Sequence, residues 1–131
     1  MPTWNEVQEY VRAHYTLNSD YERSFSLLYS YSDGRSQVVI CEYSEGRGGG
    51  DPWIRLRSPV CEVDALEPQK ALAELSPGTL IGALAIIDET YYLIHKTPLN
   101  HLDPEEFSQM MSALAGAAEY IGETYDVEDV Y

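Results

Sequence analysis

The stretch from Leu80 to Tyr125 constrains this chain more than any other. It reads as two strand-length apolar runs, a short polar link Thr97-Pro98-Leu99-Asn100-His101-Leu102, and then Asp103-Pro104-Glu105-Glu106-Phe107 opening a long amphipathic helix. Asp103 is a good cap, Pro104 suits the first helical position, and Glu105 and Glu106 complement the helix dipole. Phe107, Met110, Met111, Leu114, Ala118, Ile121 and Tyr125 recur on one face, so the helix has a single apolar side to bury. The small residues Ala113, Ala115, Gly116 and Ala117 permit close approach of another element. A helix of this kind after two strands predicts a sheet covered by helices on one face.

Upstream, Thr3 and Glu6 form a capping box, and Trp4, Val7, Tyr10, Val11 and Tyr15 follow at helical spacing, which predicts a first helix over Trp4 to Tyr15. Asn18-Ser19-Asp20 reads as a turn. Phe25, Leu27, Tyr29 and Tyr31 then alternate with serines, a strand with one wet face. Asp33-Gly34 supplies a hairpin turn, and Val38, Val39 and Ile40 mark a more central strand over Gln37 to Tyr43.

Glu45-Gly46-Arg47-Gly48-Gly49-Gly50-Asp51-Pro52 lacks the following helix and the Lys-Ser/Thr pair of a nucleotide loop, so it reads as a hairpin connection. After it, Trp53, Arg55 and Arg57 alternate with Ile54 and Leu56, giving an aromatic and basic outer row beside a buried inner one.

A proline-started helix over Glu67 to Leu75 is expected to bury Leu72 and Leu75 and to stop at Ser76-Pro77-Gly78. Leu80, Ile81, Leu84, Ile86 and Ile87 suggest a strand covered on both faces, by core or by another subunit. Asp88-Glu89 turns the chain into the last strand, with Tyr91, Leu93 and His95 on one face and Tyr92, Ile94 and Lys96 on the other. The expected fold is α+β in the order α-β-β-β-α-β-β-α, an antiparallel sheet with helices on one face. One domain over residues 1–125 and an acidic tail over 126–131 account for the 131 residues.

Charge narrows the partners. The chain carries a net charge of -14, and the excess is uneven: Met1 to Val60 holds 6 basic against 8 acidic residues, Cys61 to Tyr131 only 2 against 14. Phosphate binding needs clustered Lys and Arg, so nucleic acid and anionic membranes are poor partners. No apolar run approaches the length of a bilayer span, and Met1-Pro2-Thr3-Trp4 has neither the basic end nor the apolar run of a signal peptide, so a cytoplasmic protein is expected. Cys41 and Cys61 sit in apolar strand settings and read as reduced structural thiols, with a link between them left open.

No catalytic residue, metal ligand or cofactor is assigned. The paired carboxylates Asp88-Glu89, Glu105-Glu106 and Glu128-Asp129 sit in a turn, a helix first turn and the tail, where solvation and capping explain them. His14, His95 and His101 are spread along the chain without a ligand pattern, and no serine lies in a nucleophile elbow.

The element order, the acidic composition, and the passage Tyr92-Leu93-Ile94-His95-Lys96-Thr97-Pro98-Leu99 leading to Leu102-Asp103-Pro104-Glu105-Glu106-Phe107 resemble the type III secretion chaperones and the YbjN-like bacterial proteins. The resemblance covers nearly the whole chain and adds Ala117-Ala118-Glu119 in the last helix. For the secretion chaperones it implies a homodimer, without enzymatic activity, that holds an extended segment of a protein client. For the YbjN-like branch it implies a regulatory or adaptor protein of unsettled role that binds a folded partner. Candidate partner-binding residues are Trp4, Trp53, Arg55, Arg57 and Tyr92. The positions matching the chaperone dimer contact, the second helix and the strand after it, are Leu72, Leu75, Leu80, Ile81 and Leu84.

Overall fold

The computed structural model describes residues 3–31, 34–46, 50–75 and 81–124. Its elements are α1 (Trp4–His14), β1 (Leu17–Asp20), β2 (Ser24–Ser30), β3 (Ser36–Ser44), β4 (Trp53–Glu62), α2 (Pro68–Lys70), β5 (Ala83–Ile87), β6 (Thr90–Pro98) and α3 (Pro104–Thr124). All six strands belong to one antiparallel sheet in the order β1-β2-β3-β4-β6-β5. The chain runs as a meander through β4, crosses by way of α2 to the far edge, and returns as β6 into the gap between β4 and β5. The α+β fold expected from the sequence is the one observed, with one strand added.

Local chemistry explains the ends of the elements. Thr3 Oγ1 accepts from the Glu6 amide at 3.2 Å and starts α1, while the Asp103 carboxylate accepts from the Glu106 amide at 2.8 Å and starts α3. Asp88 and Glu89 both take positive φ, 49° and 62°, the backbone of the tight turn that joins antiparallel strands with the sheet's own twist.

The core lies between the sheet and α3, which crosses β3, β4 and β6. Phe25, Leu27, Val39, Cys41, Ile54, Leu56, Tyr91 and Leu93 rise from the sheet to meet Phe107, Met111, Leu114 and Ala118 of α3. α1 lies on the same side. Trp4 stacks on Phe25 with ring centres 5.6 Å apart, Phe25 meets Phe107 edge-on at 6.3 Å, and the Tyr10 and Tyr15 hydroxyls both hydrogen-bond Ser108 Oγ.

The buried Gln37 and Ser58 side chains on the helix-bearing side are hydrogen-bonded, whereas the buried Tyr29 hydroxyl has no partner among the described residues. Gln37 Nε2 donates to Ser58 Oγ at 2.8 Å and to the Pro59 carbonyl, and Ser58 Oγ donates to the Val38 carbonyl at 2.6 Å. These bonds sit beside the register shift between Pro59 and Cys61. Val60 is the extra residue there, so the network fixes β3 against β4 at the place where β4 changes its pairing.

Several expectations are corrected. β1 occupies Asn18-Ser19-Asp20, read as a turn; it is short and pairs only with β2. The helix from Glu67 is a single turn, Pro68–Lys70, capped by the Glu67 carboxylate and passing into a π turn over Ala71–Leu75. The wider turn rotates the chain so that Ala71 is buried and Leu72 is 58% exposed, the reverse of the expected burial of Leu72. β5 is an edge strand that buries Leu84 and exposes Ile86 on the helix-bearing side, so among the described residues even that face is only partly covered. The cysteines, by contrast, are the free buried thiols expected: Cys41 pairs across the sheet with Leu56, and Cys61, five residues beyond Leu56 on β4, with Tyr91. Asp33, the loop residues 47–49, Leu80, Tyr125 and the tail lie outside the described residues.

Candidate partner-binding face

Strand alternation sends every second residue to the face opposite the helices, and among the described residues no helix packs there. The cross-strand partners define that face: Leu28 opposite Val38, Ile40 opposite Arg57, Glu42 opposite Arg55, Arg55 opposite Lys96, Arg57 opposite Ile94, and Ile94 opposite Ala83. Trp53 stands at one end, opposite Pro98, and Tyr92 towards the other, opposite Pro59. Four of the five candidate contact residues, Trp53, Arg55, Arg57 and Tyr92, thus share one surface. Trp4 belongs to the opposite side, where it is buried in the core and donates its indole N–H to the Glu22 carbonyl at 2.8 Å. Its helical spacing matched a core stripe as well as a contact site, and burial separates the two.

The centre of the face is ordered by charge. Arg55 Nε and Arg57 Nε donate to the same Glu42 oxygen, Oε1, at 3.0 and 2.9 Å, and Arg55 Nη2 approaches it at 2.8 Å. Arg57 also lies over the Tyr92 ring, 4.7 Å from its centre. Apolar residues flank this strip: Leu28, Val38 and Ile40 on one side, Ile94, Ala83 and Ala85 on the other. Trp53 is 44% exposed at its end. Two shallow depressions cross the face, and Arg55 and Lys96 line both. One, of about 490 Å³, runs to Trp53 and Gly46; the other, of about 540 Å³, runs to Gly82 and Ala85 beside β5. Gly82 takes a φ of 76°, and a β-carbon there would stand 2.6 Å from the Ile94 carbonyl oxygen, so only glycine lets the chain enter β5 this close to β6.

The candidate dimer residues separate. Leu72 is exposed, Ile81 is half-buried against the core, and Leu84 is buried. The Leu75 side chain and Leu80 lie outside the described residues. Ile86, absent from the expected set, is 49% exposed on the helix-bearing side of β5, next to the turn that carries Leu72. Its exposure follows from the edge position of β5, which no periodicity reveals.

Burial pushes the Cys41 thiol well above its ordinary value and raises the Tyr29 phenol, with Tyr15 and Tyr31 adding to the second effect. Both lie on the helix-bearing side of the sheet, and the charge of the neighbouring Glu42 adds to the shift of Cys41. Among the described residues no group of three or more His, Cys, Asp and Glu side chains is placed to hold a metal ion, and no helix is long and apolar enough to cross a membrane. Comparison with protein-family models and with curated proteins gives no match for this chain.

Proposed function

We propose that the chain is a non-enzymatic protein-binding module of the secretion-chaperone type, which holds an extended segment of a protein client and works as a homodimer. The observation that carries this reading is the uncovered sheet face, where Trp53, Tyr92 and a pre-ordered pair of arginines lie between apolar flanks. A sheet surface suits an extended ligand, because alternate side chains of the ligand seat in shallow depressions while its backbone runs over the top. Pairing of two copies fits the flank formed by Leu72 and Ile86, two large exposed apolar side chains beside the sheet edge.

A folded partner on the same face, as the YbjN-like resemblance implies, is the second reading. The convergence of both arginines on Glu42 Oε1 favours it, since a surface already ordered is suited to a rigid partner.

Affinity capture from the native organism, followed by limited proteolysis of the complex and light scattering of the free protein, tests the proposal. A client held through one protease-resistant stretch that is unfolded when free, on a protein of twice the chain mass, is the expected result. A partner that binds only when folded would replace it with the adaptor reading, and a monomeric free protein would remove the dimer.

A further inference from the structure

We propose that the segment held on this face is acidic, with carboxylates at alternate positions seated on Arg55, Arg57 and Lys96 and with aromatic or aliphatic residues beside them. The inference rests on the peptide-holding reading above and runs against the overall charge of -14, which by itself would favour a basic client.

The distribution of ion pairs is the reason. Elsewhere among the described residues, each arginine has a carboxylate: Arg12 of α1 with Asp20, Arg23 just before β2 with Glu45, Arg35 just before β3 with Glu119. On the open face, Arg55 and Arg57 share Glu42, and no carboxylate of the described residues lies within ion-pair distance of Lys96. Between Trp53 and Tyr92 the face therefore has two more positive than negative charges. The next acidic groups stand at the two ends: Glu45 lines the depression beside Trp53 and pairs with Arg23 at 3.4 Å, and Glu62 lies at the far end of β4 and accepts from the Thr90 hydroxyl.

Glu42 engages both arginines through one oxygen, which leaves most of the five N–H groups of each guanidinium unused by it. Guanidinium forks bind carboxylates in preference to most other groups, and a strip half-shielded from water strengthens that preference. Arg57 and Arg55 sit two residues apart on β4, the spacing at which an extended ligand presents side chains to one side. Trp53 at one end and Ile40 and Ile94 at the flanks supply the apolar contacts that two carboxylates alone would lack.

Other occupants fit less well. A second copy seated face to face would set one basic strip against the other. A basic segment would do the same. Nucleic acid meets only three cations on a chain whose net charge repels it.

Isothermal titration of the full chain with three synthetic peptides tests the inference, each about nine residues long and alike except at alternate positions, which carry Glu, Gln or Lys. The Glu peptide should bind about tenfold or more tighter than the Gln peptide, with the Lys peptide weakest. Lys96→Glu, at an exposed position without an ion pair among the described residues, should reverse the order of the Glu and Lys peptides, and Lys96→Gln should weaken the Glu peptide alone. Trp53→Ala should weaken all three. Equal or tighter binding of the Lys or Gln peptide that still depends on Trp53 would overturn the acidic preference and leave the peptide-holding reading intact. Failure of all three to bind, or binding indifferent to both positions, would remove the face as a peptide site and the inference with it.

Discussion

The guanidinium of Arg57 lies 4.7 Å from the centre of the Tyr92 ring while its Nε donates to Glu42 Oε1 at 2.9 Å. One side chain is thus held from two directions, by a ring on β6 and by a carboxylate on β3, and the middle of the open face is set before any ligand arrives. Pre-ordering of this kind lowers the entropy cost of binding.

Glu42→Gln removes the carboxylate that Arg55 and Arg57 share. The fold should lose about 0.5–1 kcal/mol in urea unfolding, because the pairs are partly solvated. Affinity for an acidic peptide should rise, since the strip then has three cations and no anion between Trp53 and Tyr92. Calorimetry on the variant reads the gain directly.

The two tryptophans should behave as opposites. Trp4→Ala removes a buried ring stacked on Phe25 and tilted against Tyr43 and leaves the Glu22 carbonyl with only the longer bond from Gln8 Nε2, 3.4 Å, and should cost about 3–5 kcal/mol in denaturant unfolding. Trp53→Ala should change stability by less than about 0.5 kcal/mol, as for most exposed positions, and should act on binding alone. Comparable losses at both sites would mean that Trp53 has a structural role.

Ser58→Ala leaves the Val38 carbonyl without its hydroxyl donor and deprives Gln37 Nε2 of one of its two acceptors. Loss of a buried hydrogen bond with partners left behind should lower stability by about 1–3 kcal/mol. Backbone amide exchange of β3 and β4 near Val60 should accelerate more than exchange in β1 and β2, because the network spans only the former pair.

Alkaline pH should weaken the fold. Cys41 and Tyr29 are held neutral by burial, so their folded values stand above the ordinary 9.0 and 10.0 of the thiol and phenol. A raised folded value stabilises in full below the unfolded value and loses its contribution as pH climbs towards the folded one. Urea midpoints should be flat with respect to these two groups up to about pH 8.5 and fall above that. In the same range the buried thiols Cys41 and Cys61 should resist a thiol-specific dye until denaturant is added. Reaction in native buffer at the rate of a free thiol would contradict their burial.

Most of the fold was legible in the sequence because periodicity and capping agreed. Asp103 and Pro104 marked the start of α3, Asp88-Glu89 marked the last hairpin, and the alternation around Arg55 placed the strip on the outer face. β1 was hidden because Asn18-Ser19-Asp20 are turn-forming residue types, and pairing with β2, with the Ser19 and Ser26 hydroxyls 2.7 Å apart, overrides that preference. The inversion of Ala71 and Leu72 was hidden because it depends on a π turn, and helical spacing assumes an unbroken pitch. Strand alternation brings four of the five candidate contact residues, Trp53, Arg55, Arg57 and Tyr92, onto one open face. Trp4 is buried on the other side, because the spacing that lines up a stripe does not say which side is covered. The sharing of Glu42 between two arginines needed the register of β3 against β4, which no local pattern encodes.

A cationic strip on an otherwise anionic body gives the molecule two length scales of electrostatics. On approach to within about a Debye length, about 8 Å in physiological salt, an acidic segment meets the net charge and is repelled; at contact it meets Arg55, Arg57 and Lys96 and is held. Added salt should then speed the encounter by muting the repulsion while it hastens departure by loosening the seated pairs. Rate constants for arrival and release would move in the same direction as ionic strength rises, and the equilibrium constant alone would conceal both.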